Sequence, residues 1–362
     1  MFVTKIMKGV QSLSEKARKA VNTRNTRRDM RNLVTKGFQL TAEQERETRN
    51  FWKPYSKKMD LSSHRFYTEK TGCFSPMYIP NDIYISEVDE YFNNRLEAQF
   101  IDNKCYYQWI FADINQPKTV ACRIGGFWYS VNREIISIDA VRDIVNSHKE
   151  LFAKVATLSC GGHGVVCMNE SKGKMSDQLE KFIANEKGDI IVQEPIRQHK
   201  DLAALNESSV NTYRILSVLT EKGPKIYSGI VRMGVRGARV DNASSGGISC
   251  GISDEGKLKK YAYFAGGARS ECHPTNGYSF EGISVPYYDK ACELVKKAHP
   301  MVPHFKMIAW DITIGEDGDP ILVEVNLSRG MVRLLQINNG PLFGEDTKAI
   351  LDDVFGKTSR NN

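Results

Sequence analysis

The stretch from Ala309 to Asn326 reads AWDITIGEDGDPILVEVN, two apolar segments separated by an acidic turn that contains glycine. Asp317-Gly318 is a favoured two-residue turn of β-hairpins. Counting outward from a two-residue turn at this point places Asp311 directly opposite Glu324. The stretch therefore predicts a hairpin with two carboxylates facing each other.

Directly opposite residues project from the same face of a hairpin, with Cβ atoms about 5 Å apart. Asn326 shares that face because side chains alternate along a strand. Two facing carboxylates repel each other unless a proton or a cation neutralises them. A hard divalent ion, Mg²⁺ or Mn²⁺, accepts such oxygen ligands and leaves positions free for phosphate oxygens and water. Asp311, Glu324 and Asn326 are thus candidate metal ligands. The alternative is an edge hairpin whose acids face water.

A second motif lies upstream, where Lys154 lies within the apolar segment Phe152–Ala156 and the glycine-rich stretch SCGGHGVV follows at 159–166. A lysine on a strand followed by such a turn can bring an ammonium group and backbone N–H groups to phosphates. No Gly-Lys-Ser/Thr follows, so the pattern differs from a P-loop. An ordinary hairpin turn is the alternative.

A third motif is the apolar segment Ile190–Val192, which ends in Gln193-Glu194-Pro195-Ile196. A strand that leaves into a linker between two lobes can offer backbone groups to an adenine edge. An ordinary strand end is the alternative.

Periodicity elsewhere indicates short strands with few helices. Predicted strands include Lys118–Arg123, Phe127–Val131, Leu151–Thr157, Gly161–Met168, Asp189–Glu194, Tyr213–Leu219, Ile226–Met233, Gly247–Ile252, Met307–Ile314 and Pro320–Asn326, and predicted helices include Ile138–Phe152, Ser176–Asn185 and Asp289–Ala298. Strands outnumber helices in the second half, and tight turns join many of them. We therefore expect largely antiparallel sheets and the α+β class.

The order of these motifs resembles that of ATP-grasp proteins and, more narrowly, the sugar-transfer-associated ATP-grasp family. The resemblance covers roughly residues 95–340 and rests on Lys154 with its glycine loop, Gln193–Ile196, Asn211-Thr212-Tyr213-Arg214, Asp241-Asn242 with Gly246-Gly247, His273-Pro274, and Trp310-Asp311-Ile312 with Glu324-Val325-Asn326. It implies the ATP-grasp fold, in which two α+β lobes clasp ATP, here with a basic helical N-terminal extension.

The resemblance also implies roles for individual residues. The nucleotide would contact Lys104, Lys154, Gly161, Gly162, Gly164, Gln193, Glu194 and Ile196, with His199 or Asp201 near the ribose. Metal ions would be held by Asp311, Glu324 and Asn326. Charge that develops on phosphate and acyl oxygens would be stabilised by Arg214, Arg232, Arg329 and Asn242. Related ligases often carry an arginine two residues before the metal aspartate, where this chain has Ala309. Arg232 or Arg329 would have to replace it. The roles of His163, His199 and His273 stay open.

The activity that the resemblance implies is ADP-forming ligation of a carboxylate to an amine through an acyl phosphate, with ATP and Mg²⁺ or Mn²⁺ as cofactors. The carboxylate would belong to a sugar or glycan, such as a uronic acid of a capsular or surface polysaccharide, and the amine to an amino acid or amino alcohol. Two alternatives remain open. One is a kinase acting on a sugar hydroxyl, and the other is a non-catalytic nucleotide- or glycan-binding adaptor.

Five segments are predicted along the chain. They are a basic helical extension (1–58), a region preceding the ATP-grasp lobes (59–135), a small lobe with the glycine-rich loop (136–197), a large central lobe with the metal site (198–355) and a disordered tail (356–362).

Charge is unevenly distributed over the 362 residues. Residues 1–58 hold 15 Lys/Arg and 5 Asp/Glu, a net charge of +10, whereas the remaining residues carry −3. Apolar residues recur at helical spacing between Val3 and Val21 with basic residues between them, which predicts an amphipathic helix. Its basic face would suit an anionic membrane surface through residues 1–31. The alternative is a helix packed on the protein body. Without a recognition motif, we do not expect nucleic acid as a partner.

The composition, 41% hydrophobic and 26% charged, is typical of a folded soluble protein. The sequence contains neither an apolar run of the ~18 residues that a bilayer span needs nor a signal peptide pattern. We therefore expect a cytoplasmic protein, with peripheral contact at the inner face of the membrane as an option. Eight cysteines without a C-x-x-C pair favour reduced thiols over a structural zinc site.

Overall fold

The structure is a computed structural model that describes residues 2–157, 164–238, 241, 246–328, 330 and 332–356, with the backbone alone at 2–16, 95, 99 and 100. The chain divides into two compact units. The first comprises Met1–Phe92, Gly266–Arg269 and Met331–Asn362, and the second comprises Asn93–Ala265 and Ser270–Gly330. The predicted tail from 357 onward lies outside the described residues, and the predicted segment boundaries stay predictions.

The first unit is helical. Its helices are α1 (Phe2–Leu33), α2 (Ala42–Trp52), α3 (Ser62–Thr71), α4 (Asn81–Ile83), α5 (Asp89–Phe92), α12 (Val332–Asn339) and α13 (Thr347–Val354), with a π-helical turn at Tyr84–Val88. A capping box between Thr41 and Gln44 starts α2. Gly72, with a φ of 76°, ends α3 in the left-handed conformation that glycine adopts without strain.

The predicted basic helix is α1, which continues to Leu33. Cations in its second half pair with acids of the same unit: Arg18 and Lys19 with Glu90, Arg27 with Asp82, and Arg31 with Asp60. Met30 is buried on the same helix. For residues 17–33 these contacts favour the alternative in which the helix packs on the protein body.

The second unit holds two sheets. The smaller sheet has the order β3-β2-β1-β6-β4-β5. Its strands are β1 (Thr119–Ile124), β2 (Phe127–Tyr129), β3 (Ile135–Ile136), β4 (Glu150–Val155), β5 (Val165–Asn169) and β6 (Ile190–Gln193). Helices α8 (Ile138–Asn146) and α9 (Met175–Asn185) cover one face, where they bury an apolar cluster that includes Val141, Leu179 and Val192.

The larger sheet has the order β11-β10-β9-β8-β7-β12-β13. Its strands are β7 (Thr212–Thr220), β8 (Gly223–Met233), β9 (Ile248–Ile252), β10 (Leu258–Phe264), β11 (Arg269–Ser270), β12 (Met307–Ile314) and β13 (Pro320–Asn326). The unit also contains α6 (Arg95–Ile101), α7 (Tyr107–Ile110), α10 (Lys200–Ala203) and α11 (Tyr288–Ala298). Trp310 and Tyr213 lie in the core between α11, α7 and this sheet. The prediction of antiparallel sheets in the α+β class is confirmed.

The hairpin of β12 and β13 has the predicted pairing of Asp311 with Glu324 but a different reversal. The N–H of Gly318 donates to the carbonyl of Gly315 at 2.9 Å, and Gly318 has a φ of 79°. The reversal therefore takes three residues rather than the predicted two, as in turns that end on a left-handed glycine. A bulge then leaves Val323 as an extra residue of β13. The bulge offsets the longer turn and restores the predicted register.

Two other predictions about secondary structure need correction. The helix expected over Ile138–Phe152 ends at Asn146, because β4 already begins at Glu150 and buries Leu151 in the smaller sheet. Strand β10 was not predicted, since the adjacent Lys259 and Lys260 interrupt its apolar pattern. Among the described residues, no helix combines the length and apolarity that a bilayer span requires.

Candidate functional site

Asp311 lies on β12, the strand next to the edge of the larger sheet, with arginines from the next two strands around its carboxylate. Arg214 is its direct neighbour on β7 and donates from Nε to Oδ1 at 2.8 Å and from Nη2 to Oδ2 at 2.6 Å. Arg232 on β8 donates from Nη1 to Oδ2 at 2.8 Å. All three side chains are buried. Burial alone would raise the pKa of Asp311, but the two guanidinium groups outweigh it and hold that pKa below its usual value.

The same network continues to the base of the loop after β8. Nη2 of Arg232 lies 3.3 Å from Oδ1 of Asp241, and the hydroxyl of Thr212 donates to the other oxygen of that carboxylate. Burial raises the pKa of Asp241, and the positive charge of Arg232 opposes the shift. Arg232 thus links the Asp311 carboxylate to position 241.

Glu324 faces Asp311 from the edge strand β13 and is more accessible, with 31% of its side chain exposed. Nζ of Lys104 donates to its Oε1 at 2.7 Å. Lys104 opens a 3₁₀ turn whose first N–H donates to the carbonyl of Ala156 at 3.0 Å. This bond fixes Lys104 beside the end of β4. The two carboxylates therefore have separate countercharges, arginines for Asp311 and a lysine for Glu324.

Tyr107 completes this arrangement at the outer edge of β13. Its hydroxyl accepts from the N–H of Val325 at 3.1 Å and donates to the same residue's carbonyl at 3.3 Å. A side chain thus occupies the place that a further strand would take, which protects the edge. Because Tyr107 follows Lys104 by three residues, the bond also holds Lys104 opposite Glu324.

Lys154 lies on β4, and its Nζ donates to Oε1 of Gln193 on the neighbouring β6 at 3.1 Å. Burial, with the nearby positive charge of Lys104, lowers the pKa of Lys154 to about 8, and Glu324 partly offsets this shift. Lys104, Lys154 and Glu324 therefore interact with one another at one place in the second unit.

The segment after β6 leads from the smaller sheet to the larger one. The N–H of Glu194 still donates to the carbonyl of Lys118 beside β1, at 2.8 Å. Gln198 then forms a β-bridge with Gly315, and the N–H of His199 donates to the carbonyl of Ile314. Ile196 is half-buried within this segment. The crossing has the form expected of a strand that exits between two lobes.

Some predicted site residues lie outside the described residues: Gly161, Gly162, His163, Asn242 and Arg329. Gly164 is described and ends the glycine-rich stretch, where its carbonyl accepts from the N–H of Val155 at 2.8 Å. Its φ is 73°, and a Cβ there would lie 2.7 Å from Cγ2 of Val155. A glycine is therefore required at the base of this loop.

A family model described as sugar-transfer associated ATP-grasp matches residues 85–350 of the sequence. The chain belongs to this family. The match includes every described residue of the site above, and it confirms both the predicted family and the ATP-grasp fold. No curated protein matches the chain.

Three solved structures are similar to this ATP-grasp chain in fold. The ATP-grasp ligase PsnB complexed with a minimal precursor is 14% identical with a TM-score of 0.41, and the match covers 74% of this chain and 64% of that one. The D-alanine–D-alanine ligase from Bacillus anthracis is 13% identical with a TM-score of 0.41, over 74% and 69%. The D-cycloserine synthetase DcsG is 12% identical with a TM-score of 0.43, over 74% and 73%. These likenesses do not bear on what this chain binds.

The oxygen donors of this ATP-grasp site suit a magnesium ion. One oxygen of Glu324 accepts from Lys104, so its other oxygen is available to a metal ion. The Nδ2 of Asn326 donates to the carbonyl of Ala309 at 3.2 Å, which leaves Oδ1 as the atom of this side chain that can bind a metal ion. Asp311 has less capacity to bind a metal ion, because its oxygens already accept three N–H bonds from Arg214 and Arg232. Within the described ranges, no group of three His, Cys, Asp or Glu side chains forms a metal cage. The site thus fits an ion that takes most of its ligands from phosphate oxygens and water, as Mg²⁺ does.

Sequence reasoning gave no role to three residues that the structure places in the candidate site: Asp102, Tyr107 and Asp241. Burial raises the pKa of Asp102 to about 6, with Lys104 opposing the shift and Glu324 adding to it. The motif had included position 241 without giving it a role. The capping of Val325 by Tyr107 has no sequence signal, because it joins elements more than 200 residues apart.

His199 and His273 have structural partners, whereas His163 lies outside the described residues. Nε2 of His273 lies 2.9 Å from the carbonyl of Gly234, and its Nδ1 accepts from the N–H of Thr275 at 3.3 Å, so this buried ring holds the turn after β8. His199 accepts at Nδ1 from the N–H of Asp201 and thereby starts α10. Neither ring is brought to Asp311 or Glu324 by any of these contacts.

Proposed function

We propose that this protein is an ATP-dependent carboxylate–amine ligase that forms ADP through an acyl phosphate. One observation carries the proposal: Lys104, beside the smaller sheet, donates to Glu324, and Lys154 lies near enough to interact with both charges. Opposite Glu324 on the larger sheet, Asp311 is held by Arg214. Cations that surround a half-exposed carboxylate suit a triphosphate with its metal ion.

The chain's own residues would divide the work by position. Lys104 would exchange Glu324 for phosphate oxygens, and Lys154 would leave Gln193 in the same way. Arg214 and Arg232, already oriented by Asp311, would stabilise negative charge on the transferred phosphoryl group and on the acyl oxygen. A bound Mg²⁺, held by Glu324 and Asn326, would supply neutralisation of phosphate charge. No side-chain nucleophile is required, because phosphoryl transfer depends mainly on positioning and electrostatics.

The proposed acceptor is the carboxylate of a sugar, such as a uronic acid of a capsular or surface polysaccharide. It rests on the family's description as sugar-transfer associated. The proposed amine is that of an amino acid or amino alcohol, which would attack the acyl phosphate and release phosphate. A closed glycine-rich loop would exclude water from that intermediate.

A hydroxylamine trap tests this reaction. The protein is incubated with Mg-ATP and a panel of uronic acids and short acidic glycans, with either an amine panel or hydroxylamine, and products are identified by mass spectrometry. We expect ADP release that requires the sugar acid, a sugar hydroxamate with hydroxylamine, and an amide with the natural amine. Glu324→Gln should lower turnover roughly 100-fold or more. Lys181→Met, an exposed lysine on α9, is the matched control and should leave turnover unchanged.

The outcomes separate the alternatives. A stable phosphorylated sugar without a hydroxamate would identify a kinase. Binding of Mg-ATP without turnover across the whole panel would identify the non-catalytic adaptor. Either result contradicts the ligase.

We also propose a cytoplasmic location, with the first half of α1 as the candidate for membrane contact. The cations Arg18, Lys19, Arg27 and Arg31 in the second half already pair with acids of the first unit. Cosedimentation with anionic vesicles before and after deletion of residues 2–16 tests this contact, and equal cosedimentation would exclude it.

A further inference from the structure

One face of the smaller sheet carries a continuous row of residues that starts inside the proposed site. Lys154 on β4 pairs with Ile191, Ile191 pairs with Cys122, Cys122 pairs with Tyr129, and Tyr129 pairs with Ile135 on the edge strand β3. Directly paired residues project from the same face. The face that presents Lys154 to the proposed phosphate site therefore continues outward to Tyr129 and Ile135.

The middle of this row is covered and its outer end is exposed. Cys105 packs on Cys122 and Ile191, and its thiol lies 3.5 Å from the carbonyl of Ile190. Beyond that cover, Ile135 is 67% exposed and Phe127, which shares the face because it lies two residues before Tyr129, is 60% exposed. Large apolar side chains left in water as a group mark interaction sites.

Two half-buried aromatic residues that follow Lys104 in the chain border the exposed area. The rings of Tyr106 and Trp109 meet edge to face with centroids 5.4 Å apart. The guanidinium of Arg133, from the loop between β2 and β3, lies 5.4 Å from the centroid of the Trp109 ring. Nε1 of Trp109 is a buried donor without a hydrogen-bond partner among the described residues. We call this surface the aromatic platform and define it as Tyr106, Trp109, Phe127, Tyr129, Arg133 and Ile135.

We propose that the aromatic platform binds the sugar units of an acidic glycan whose terminal carboxylate enters the site at Lys104 and Glu324. This inference rests on the proposed function and names its acceptor as a polymer rather than a free sugar acid. One face of a pyranose ring is lined with C–H groups and packs on aromatic side chains, while its hydroxyls stay in water. Arg133 adds a planar cation that pairs with a sugar carboxylate.

The distance between the platform and the proposed phosphate site supports a glycan chain as the ligand. Lys154 and Tyr129 lie three strand spacings apart, about 14 Å. A chain of several sugars covers that distance and places its end at the phosphates. Tyr106 and Trp109 follow Lys104 by two and five residues, so these two residues of the platform belong to the same short segment as the lysine. A single monosaccharide would reach only one end of this path.

The test measures glycan and nucleotide binding by calorimetry on the same full-length samples. The probes are acidic hexasaccharides from hyaluronan and polygalacturonate, with glucuronate as the monosaccharide and Mg-ATP as the nucleotide. We expect at least one hexasaccharide to bind at least tenfold more tightly than glucuronate. Phe127→Ala and Trp109→Leu should each weaken hexasaccharide binding roughly three- to tenfold and leave Mg-ATP binding unchanged. Leu96→Ala, a substitution at a 79% exposed residue of α6, is the control and should change neither.

Three results would overturn the platform. In the first, neither hexasaccharide binds; in the second, a hexasaccharide binds but Phe127→Ala and Trp109→Leu leave its affinity unchanged. In the third, the protein sediments as a dimer that Ile135→Ala converts to a monomer, which would mean that a second copy covers the surface. Mg-ATP binding in the same samples separates this inference from the proposed function. If Mg-ATP binds and the hexasaccharides do not, only the platform is refuted; if Mg-ATP does not bind, the ligase is refuted whatever the glycans do.

Discussion

Asp311 and Glu324 face each other across one hairpin, yet their removal should have very different effects on stability. Asp311 is 2% exposed and accepts three N–H bonds from Arg214 and Arg232, which are themselves buried. Asp311→Asn keeps the shape but removes the charge, and its amide turns a donor toward guanidinium donors. Breaking a buried ion pair from one side costs about 3–5 kcal/mol, because the remaining charges stay uncompensated.

Among the described residues, Glu324 pairs with Lys104 alone and is partly in water. Pairs of this kind contribute about 0–1 kcal/mol, so Glu324→Gln should leave the free energy of unfolding nearly unchanged. The measurement is equilibrium urea unfolding followed by circular dichroism, without nucleotide or metal. In the double variant Asp311→Asn/Arg214→Met, we expect a smaller loss than the sum of the single losses, because the second change removes one of the uncompensated charges.

Equal losses for Asp311→Asn and Glu324→Gln would refute this reasoning, since they would mean that the arginines do not depend on Asp311. Full additivity in the double variant would refute it in the same way.

Three further predictions follow from other parts of the structure. Burial lowers the pKa of Lys154 to about 8, so its ammonium group loses the proton as the pH rises above 8 and kcat/KM for ATP should fall there. Lys154→Arg should move this fall to higher pH. A kcat/KM that stays constant up to pH 10 would contradict the role of Lys154. Burial lowers the pKa of His64 to about 4 from 6.5, so the unfolded chain binds the extra proton first and the free energy of unfolding should drop by about 3 kcal/mol as the pH falls from 6.5 to 4. His64→Phe should reduce that slope in urea unfolding, and an identical slope in the variant would exclude His64 as its source. A Cβ at Gly229 would lie 1.8 Å from the hydroxyl oxygen of Tyr288, so Gly229→Ala should lower the free energy of unfolding by about 1–3 kcal/mol. Gly266 has open space around it, so the control Gly266→Ala should change that free energy little. Equal melting temperatures for the two variants would show that Tyr288 moves freely.

The pairing of the two carboxylates illustrates how sequence reasoning succeeded and where it failed. Two apolar segments and the Asp-Gly turn between them were enough to predict β12 and β13 with their observed ends, and to place Asp311 opposite Glu324. The turn is one residue longer than predicted, and the bulge at Val323 compensates. Local turn preferences do not report a bulge, because it depends on what the neighbouring strands and side chains require.

The sequence predicted that the two carboxylates are neutralised, but not which groups neutralise them. Reasoning from two facing acids led to a metal ion, whereas the described side chains already supply Arg214, Arg232 and Lys104 as cations. Both arginines were predicted for the site, but their contact with Asp311 was not. The cross-strand order of β8, β7 and β12 decides it, and strand order is not encoded in any local pattern.

The sequence by itself determined the class of fold and the family, and it predicted most of the charged residues of the candidate site, because those features depend on periodicity and on motif order along the chain. Tertiary structure alone decided which charges meet. The bond from Tyr107 to Val325 and the pair of Lys104 with Glu324 join residues about 220 positions apart. Such contacts form when whole sheets pack, so their partners follow from the burial of apolar surface over the entire unit rather than from the residues beside them.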